Sequence, residues 1–209
     1  MLRILIADDH TVVRKGLKLI LKEAFPFAEI EEVSDAEDLY KRVIKSKWDV
    51  VISDISMPGR SGLDVLQQIR QDQPKLPVLI LSIHPEEHYA MRVLKAGASG
   101  YLNKDSASEE LVKAVNQLLL GKKYITAAVA DKLASSLDQD YSKLSHENLS
   151  DREFEVLKLL ASGKSVSDIA KQFSLNVTTI STYRSRIMEK MNLRTNADLT
   201  LYAIENKLM

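Results

Sequence analysis

The sequence predicts a doubly wound α/β domain built on a five-stranded parallel sheet, followed by a small all-α helix-turn-helix domain. Three observations carry this. Five short apolar runs alternate with stretches of helical period over the first 120 residues. Strand signals stop after Gly121. Everything from Ser150 onward shows only helical period.

The apolar runs are Leu2–Ala7, Glu29–Val33, Val50–Ser53, Val78–Leu81 and Ser99–Leu102. Most are apolar on both faces, as strands of a parallel sheet covered on both sides should be. Between them lie helical stripes: Val13, Leu17, Ile20 and Leu21; Leu39, Val43 and Ile44; Leu63, Leu66 and Ile69; Ala90, Val93 and Leu94; Leu111, Val115 and Leu118. Ser34 with Glu37 and Ser106 with Glu109 read as capping boxes opening two of these helices. Ala127 to Leu137 reads as one more helix, and the polar stretch Asp138 to Asn148 as a linker. Beyond it, Ser150 and Glu153 cap a helix that stops at Gly163. Further helices are expected at about 165–172, 177–191 and 195–206. The division is therefore 1–121, a helix and linker over 122–148, and 149–209.

Composition narrows the function classes. Of 209 residues, 29 are basic and 29 acidic, and 45% are hydrophobic. Those values exclude wholesale disorder. The absence of cysteine excludes a disulfide framework, a thiolate metal site and a cysteine nucleophile. No apolar run reaches the roughly 18 residues of a membrane span, and the N-terminus turns acidic too early for a signal peptide. A cytoplasmic protein with no membrane partner is expected. Residues 1–140 carry 19 basic and 21 acidic side chains and residues 141–209 carry 10 and 8, so an anionic ligand suits the second part better.

In a doubly wound sheet the loops after the strands' carboxyl ends converge. Strand one ends in Asp8 and Asp9, strand three in Asp54 and strand four in Ser82, and strand five ends just before Lys104. Any one of these is an ordinary loop or cap residue. Together, at the ends of four strands, they are expected to meet in one crevice. Close carboxylates repel one another unless a cation binds, and Mg2+ prefers hard oxygen ligands while keeping waters that a phosphoryl group can replace. Asp54 then sits where its carboxylate can attack phosphorus. Lys104 and Ser82 can neutralise and hydrogen-bond the phosphoryl oxygens. His10 and His84 read as helix-start or loop residues rather than metal ligands.

The pattern Asp8-Asp9, Asp54-Ile-Ser-Met-Pro58-Gly, Ser82 and Gly100-Tyr101-Leu-Asn-Lys104 resembles a two-component response-regulator receiver domain over about residues 1–120. The Asp-Asp-His start resembles the NarL/FixJ subfamily. The resemblance implies that Asp54 accepts a phosphoryl group from a sensor histidine kinase. It implies that Asp8, Asp9, Asp54 and the backbone carbonyl of Ser56 hold Mg2+, Asp8 through water. It also implies that Ser82 and Tyr101 rearrange together when the phosphoryl group arrives. Asn103 departs from the usual aliphatic residue before Lys104.

In the C-terminal part, Val156, Leu157, Leu160, Ile169, Ala170, Phe173, Ile180, Ile187 and Met191 form the expected core. Phe173-Ser-Leu-Asn176 is the turn between two helices of helix-turn-helix dimensions. On the second of these, Val177, Ile180, Ile187 and Met191 share one side. Thr178, Ser181, Thr182, Ser185 and Arg186 face the other way, with Glu189 beyond. Several serines and threonines on one exposed helix have no stability rationale, whereas small polar side chains let a helix approach base edges. Thr178 and Thr179 stand near a helix N-terminus, which favours a phosphate. Arg184 lies toward the apolar side with its head snorkelling outward, where it is expected to meet a DNA phosphate, and Lys190 is expected to strengthen binding to all DNA alike.

The stretch from Leu149-Ser-Asp-Arg-Glu-Phe-Glu-Val-Leu157 through Ile169-Ala170 to Thr179-Ile-Ser-Thr-Tyr-Arg-Ser-Arg-Ile187 resembles a LuxR/NarL-type DNA-binding domain. That implies double-stranded promoter DNA as partner, with pairing of two chains through the fourth helix. Leu199, Leu201, Tyr202 and Ile204 are the candidate dimer contacts, or alternatively internal core.

The two resemblances together imply a phosphorylation-controlled transcription regulator, a homodimer when active. It would not be a turnover enzyme: only self-catalysed phosphoryl acceptance and slow autodephosphorylation are expected. A magnesium-dependent phosphohydrolase would share the acidic crevice, but would carry a second acid where Ser56 stands. A flavodoxin-like cofactor binder is disfavoured by the three acids. DNA binding without phosphorylation is disfavoured by the completeness of the acid set.

Overall fold

The computed structural model describes residues 1–57, 62–84, 86–127, 129–131, 145–206 and 208. They belong to two compact units, Met1–Asp138 and Gln139–Met209.

The first unit alternates strand and helix: β1 (Arg3–Ala7), α1 (Thr11–Ala24), β2 (Glu29–Val33), α2 (Ala36–Lys45), β3 (Val50–Asp54), α3 (Gly62–Asp72), β4 (Val78–Ser82), α4 (Glu86–Lys95), β5 (Gly100–Asn103) and α5 (Ala107–Leu119). The strands form one parallel sheet in the order β2-β1-β3-β4-β5. Strands β3 and β4 are buried at every residue, which explains their unbroken apolar runs. Strand β2 is an edge, and its glutamates mark it as one. Glu29 and Glu31 pair with Arg3, and Glu31 also with Arg42, so charge covers the exposed backbone edge. On one side of the sheet Ile4, Ile6, Ile52, Leu79 and Leu81 pack against Leu17 and Leu21 of α1 and Leu111, Val115 and Leu118 of α5.

The order reverses between β1 and β3, since the chain first steps to β2 and then returns past β1. The carboxyl ends of β1 and β3 therefore flank the crevice where ligands of such sheets bind. Strands β3, β4 and β5 each run one residue further than the apolar runs indicate. Asp54 and Ser82 are the last residues of their strands, as expected, whereas β1 ends at Ala7, just before Asp8.

Neither expected capping box opens its helix in the first unit. Helix α2 begins one residue later than the Ser34 reading requires, and Asp35 caps it by accepting the Asp38 amide at 2.8 Å. Ser106 precedes α5, but its hydroxyl donates to the Asn103 carbonyl at 3.1 Å and makes no cap. The reason is a 3-10 turn over Lys104–Ser106, whose own cap is Asn103, accepting the Asp105 amide at 2.9 Å.

After α5 the chain returns to the sheet. The Tyr124 amide donates to the Ser99 carbonyl at 2.9 Å, and Tyr124 forms a single parallel bridge with Gly100. A Cβ on Gly100 would stand 2.9 Å from the Tyr124 backbone oxygen, so only glycine allows this approach. Of the helix expected over Ala127 to Leu137, residues 127 and 129–131 are helical. Its remainder lies outside the described residues, as does the linker before Ser145.

The second unit opens with a 3-10 turn, Ser145–Asn148, and contains α6 (Asp151–Ala161), α7 (Val166–Gln172), α8 (Val177–Met191) and α9 (Asn196–Glu205). Ser150 and Glu153 form a reciprocal capping box on α6, and Thr195 and Asp198 another on α9. Gly163 ends the first helix with φ +84°. Leu157, Leu160, Ile169, Ile180, Ile187 and Met191 are buried together with Leu199 and Ala203 of α9. Two expected core residues are not. Val177 is 47% exposed because it is the first residue of α8 and the buried stripe begins only at Ile180. Phe173 is half-buried, with the Arg152 guanidinium 4.5 Å above its ring.

Candidate functional site

At the carboxyl end of the sheet, Asp8 and Asp54 are buried and their side chains converge on one cation. The Lys104 ammonium lies 2.7 Å from Asp54 Oδ2 and 2.6 Å from Asp8 Oδ2. The other Asp54 oxygen, Oδ1, accepts the Ser56 amide at 3.2 Å. Asp8 Oδ1 accepts the His10 amide at 2.7 Å. Burial pushes the Asp54 carboxyl above the usual carboxylate range, and Lys104 only partly offsets it. Burial by itself would weaken the Lys104 ammonium, yet Asp54 and Asp8 together hold it above its ordinary value.

Asp9 completes the cluster, half-buried beside Asp8. His10 joins it too, because its Nδ1 stands 2.7 Å from Asp9 Oδ1. One ligand atom from each of Asp8, Asp9, His10 and Asp54 lies within 4.8 Å of the others. His10 is the N-cap of α1, in keeping with a helix-start residue, and it also borders the acids. Asp8 Oδ2 and Asp9 Oδ1 are both buried; the first faces the Lys104 ammonium and the second His10 Nδ1. Hard carboxylate oxygens gathered this closely fit a divalent ion such as magnesium.

Beside the acids, Ser82 is fully buried and its Oγ accepts the His84 amide at 3.0 Å. Tyr101 is buried to 1% exposure, and its hydroxyl donates to the His84 carbonyl at 2.7 Å. Burial pushes its phenol up to about 12. Asn103 Nδ2 reaches the same carbonyl at 3.3 Å. The Asn103 departure therefore has a consequence: it ties β5 to the loop after β4 and caps the turn that carries Lys104. Its amide next to Lys-Asp-Ser is a turn-capping signal that sequence reading could have used. Gly62 also escaped notice. A Cβ there would lie 2.3 Å from the Asp54 carbonyl oxygen, so α3 starts directly against the Asp54 backbone. Pro58 and Gly59 of the quoted motif lie outside the described residues.

In the second unit, Thr178, Ser181, Thr182, Ser185 and Arg186 of α8 are all exposed, and Thr179 is half-buried. Two cations expected at DNA are otherwise engaged. Arg184 Nε donates to Asn196 Oδ1 at 2.9 Å. Lys190 Nζ lies 2.7 Å from Glu153 Oε2, because Glu153 is nearly buried at the α6 cap and draws in a counter-charge. On α9, Leu199 is fully buried and belongs to the core, which removes it from the candidate dimer contacts. Leu201 and Ile204 are 58% and 57% exposed. The Tyr202 hydroxyl lies 2.9 Å from His146 Nδ1.

Residues 4–116 match the response regulator receiver domain, and residues 147–203 match the luxR family of bacterial regulatory proteins. The chain belongs to the response regulators. It joins a receiver to a LuxR-type DNA-binding domain, in the NarL/FixJ manner. This regulator is 32% identical to the response regulator UvrY of Escherichia coli, over all of this chain and 96% of that protein. It is 35% identical to the oxygen regulatory protein NreC of Staphylococcus epidermidis, over all of this chain and 99% of that protein. Among solved structures it is similar to RcsB from Salmonella enterica serovar Typhimurium, bound to promoter rprA in the presence of the phosphomimetic BeF3−. There the TM-score is 0.63 and the identity 27%, over 97% of this chain and 98% of that one. As a response regulator of this kind, the chain is a phosphorylation-dependent transcription regulator. No helix among the described residues is long and apolar enough to cross a membrane.

Proposed function

We propose that this response regulator takes a phosphoryl group onto Asp54 from the phosphohistidine of a sensor histidine kinase, and that the transfer controls its binding, as a homodimer, to double-stranded promoter DNA. The observation that carries the reading is the pairing of Asp54 with Lys104 in a crevice that also gathers Asp8 and Asp9.

One Asp54 oxygen attacks phosphorus, the phosphorus–nitrogen bond breaks, and its electron pair leaves with the imidazole. The Lys104 ammonium, already within reach of the carboxylate, moves its charge to the phosphoryl oxygens. Ser82, fully buried beside it, supplies a hydroxyl to the same group. Asp8, Asp9, Asp54 and the Ser56 carbonyl are the groups that would hold magnesium. Magnesium there would offset the negative charge of carboxylates and phosphoryl group. Tyr101 and Ser82 both hold the backbone of one residue, His84, through its carbonyl and its amide, so a hydroxyl drawn toward the phosphoryl group loosens the contact that holds that loop. Such a two-state element shifts only by the difference in its contacts between states.

The chemistry ends on the protein's own side chain, with slow loss of the phosphoryl group to water and no turnover of an outside substrate. Ser56 stands where a phosphohydrolase would carry its second acid. A cytoplasmic location follows from partners that are a kinase phosphohistidine and DNA. The exposed hydroxyl face of α8 meets the major groove, and the exposed Leu201 and Ile204 of α9 pair two chains. Intact mass after incubation with magnesium and a small-molecule phosphodonor tests the acceptor. One added phosphoryl group is expected on the parent and none on Asp54→Asn. No addition to either folded protein would refute the reading.

A further inference from the structure

Along the exposed face of α8, Thr178, Thr182, Ser185 and Glu189 follow one another at spacings of four, three and four, so they form a single stripe. Three of these are hydroxyls whose protons are already placed. Thr182 Oγ1 donates to the Thr178 carbonyl at 2.9 Å, and Ser185 Oγ donates to the Ser181 carbonyl at 3.1 Å. Thr178 Oγ1 donates to Asn176 Oδ1 at 2.7 Å. The directions are forced. A carbonyl oxygen only accepts, and the Asn176 atom is the oxygen because it also takes the Thr178 amide at 3.2 Å. Each hydroxyl therefore turns lone pairs, not a proton, toward solvent. Glu189 adds a carboxylate, which is also an acceptor. The stripe is a row of acceptors.

Such a row discriminates sharply. It is mismatched to phosphate oxygens and to guanine N7 and O6, which are acceptors themselves. In the major groove its complements are the exocyclic amino groups, adenine N6 and cytosine N4. The cation next to the stripe, Arg186, stands to one side of it, where a groove-bound helix meets the phosphate backbone. We infer that α8 reads base amino groups, adenine N6 or cytosine N4, through the acceptor stripe of Thr178, Thr182, Ser185 and Glu189. This rests on the DNA-binding reading above and names what that reading leaves open.

The test uses the full-length protein with magnesium and a small-molecule phosphodonor. A preferred duplex is selected from a random pool. Its adenines are then replaced singly by purine, which lacks the N6 amino group, and its cytosines by 2-pyrimidinone, which lacks N4. Replacement by 7-deazaadenine removes an acceptor instead and serves as the control. At one or more positions in each half-site, loss of the amino group weakens binding roughly fivefold to a hundredfold, and the 7-deaza control does not. The arm that responds identifies the base. Thr182→Val and Ser185→Ala are exposed, shape-preserving changes, and one or both abolish the penalty at the position each reads. A preferred site indifferent to both amino-group replacements overturns this inference alone, as does a penalty that persists unchanged in both variants. Absence of any preference over random duplex overturns the DNA-binding reading and this inference with it.

Discussion

The Lys104 ammonium lies 2.7 Å from the Asp54 carboxylate, across 50 residues of sequence, and no other cation is in hydrogen-bond contact with that carboxylate among the described residues. It also touches Asp8 at 2.6 Å. Lys104→Ala leaves two buried acids facing each other without a counter-charge, which raises the Asp54 carboxyl further from its ordinary value. The variant is expected to take up less phosphoryl group and to lose most of the donor-dependent change in DNA affinity. Titrating DNA binding with and without donor measures this, and equal stimulation of variant and parent would refute it.

Gly62 abuts the Asp54 backbone so closely that a methyl group there must displace one of them. Gly62→Ala is expected to cost about 1–3 kcal/mol of stability, and to slow phosphoryl acceptance because Asp54 moves. Denaturant unfolding and the rate of mass gain report the two effects separately. A variant that matches the parent in both would contradict the packing argument.

Burial disfavours the ionised Glu153, but Lys190 and the Ser150 hydroxyl and amide outweigh it and hold its carboxyl below the ordinary value of 4.5. A depressed carboxyl contributes stability that is present above its unfolded value and lost as pH falls through the folded value. The LuxR-type unit is therefore expected to lose stability from about pH 4.5 downward, and Glu153→Gln to remove that part of the pH dependence. At neutral pH the substitution costs about 1 kcal/mol, since Lys190 is partly solvated. Thermal unfolding across pH 3 to 7, on a scale of ~1 pH unit per step, checks it. Parallel profiles for parent and variant would count against the pairing.

Leu199 and Leu201 are two residues apart on α9 and have opposite roles. Leu199 is fully buried, so Leu199→Ala is expected to cost about 2–5 kcal/mol of stability. Leu201→Ser removes an exposed side chain and is expected to leave stability within about 0.5 kcal/mol, while weakening dimeric binding to a two-half-site duplex. Unfolding and gel-shift titrations together separate core from interface. Unchanged duplex binding by Leu201→Ser would remove α9 as the pairing surface.

The sheet, its helices and the convergence of Asp8, Asp54, Ser82 and Lys104 were legible because fully buried strands leave unbroken apolar runs, and because strand ends in such a sheet meet by topology. The caps at Asp35 and Asn103 were not, since several hydroxyl, amide and carboxylate candidates stand together and only backbone geometry chooses among them. The closeness of His10 to the acids and of Gly62 to the Asp54 backbone was not legible, because both depend on side-chain and loop geometry that periodicity does not carry. Helical phase placed Ile180, Ile187 and Met191 correctly but misplaced Val177, since phase says nothing of where along a helix burial begins. Likewise Lys190 is expected at DNA from its charge alone, and periodicity cannot reveal that a buried acid on another helix captures it.

The central claim is that a phosphoryl group on Asp54 controls DNA binding. Its most direct test is the affinity of the full-length protein for a selected promoter duplex, measured with and without phosphodonor and magnesium, for the parent and for Asp54→Asn. The account predicts tighter binding by the donor-treated parent and no change in Asp54→Asn. An equal response of both proteins, or no response of a parent shown by mass to carry the phosphoryl group, would contradict it.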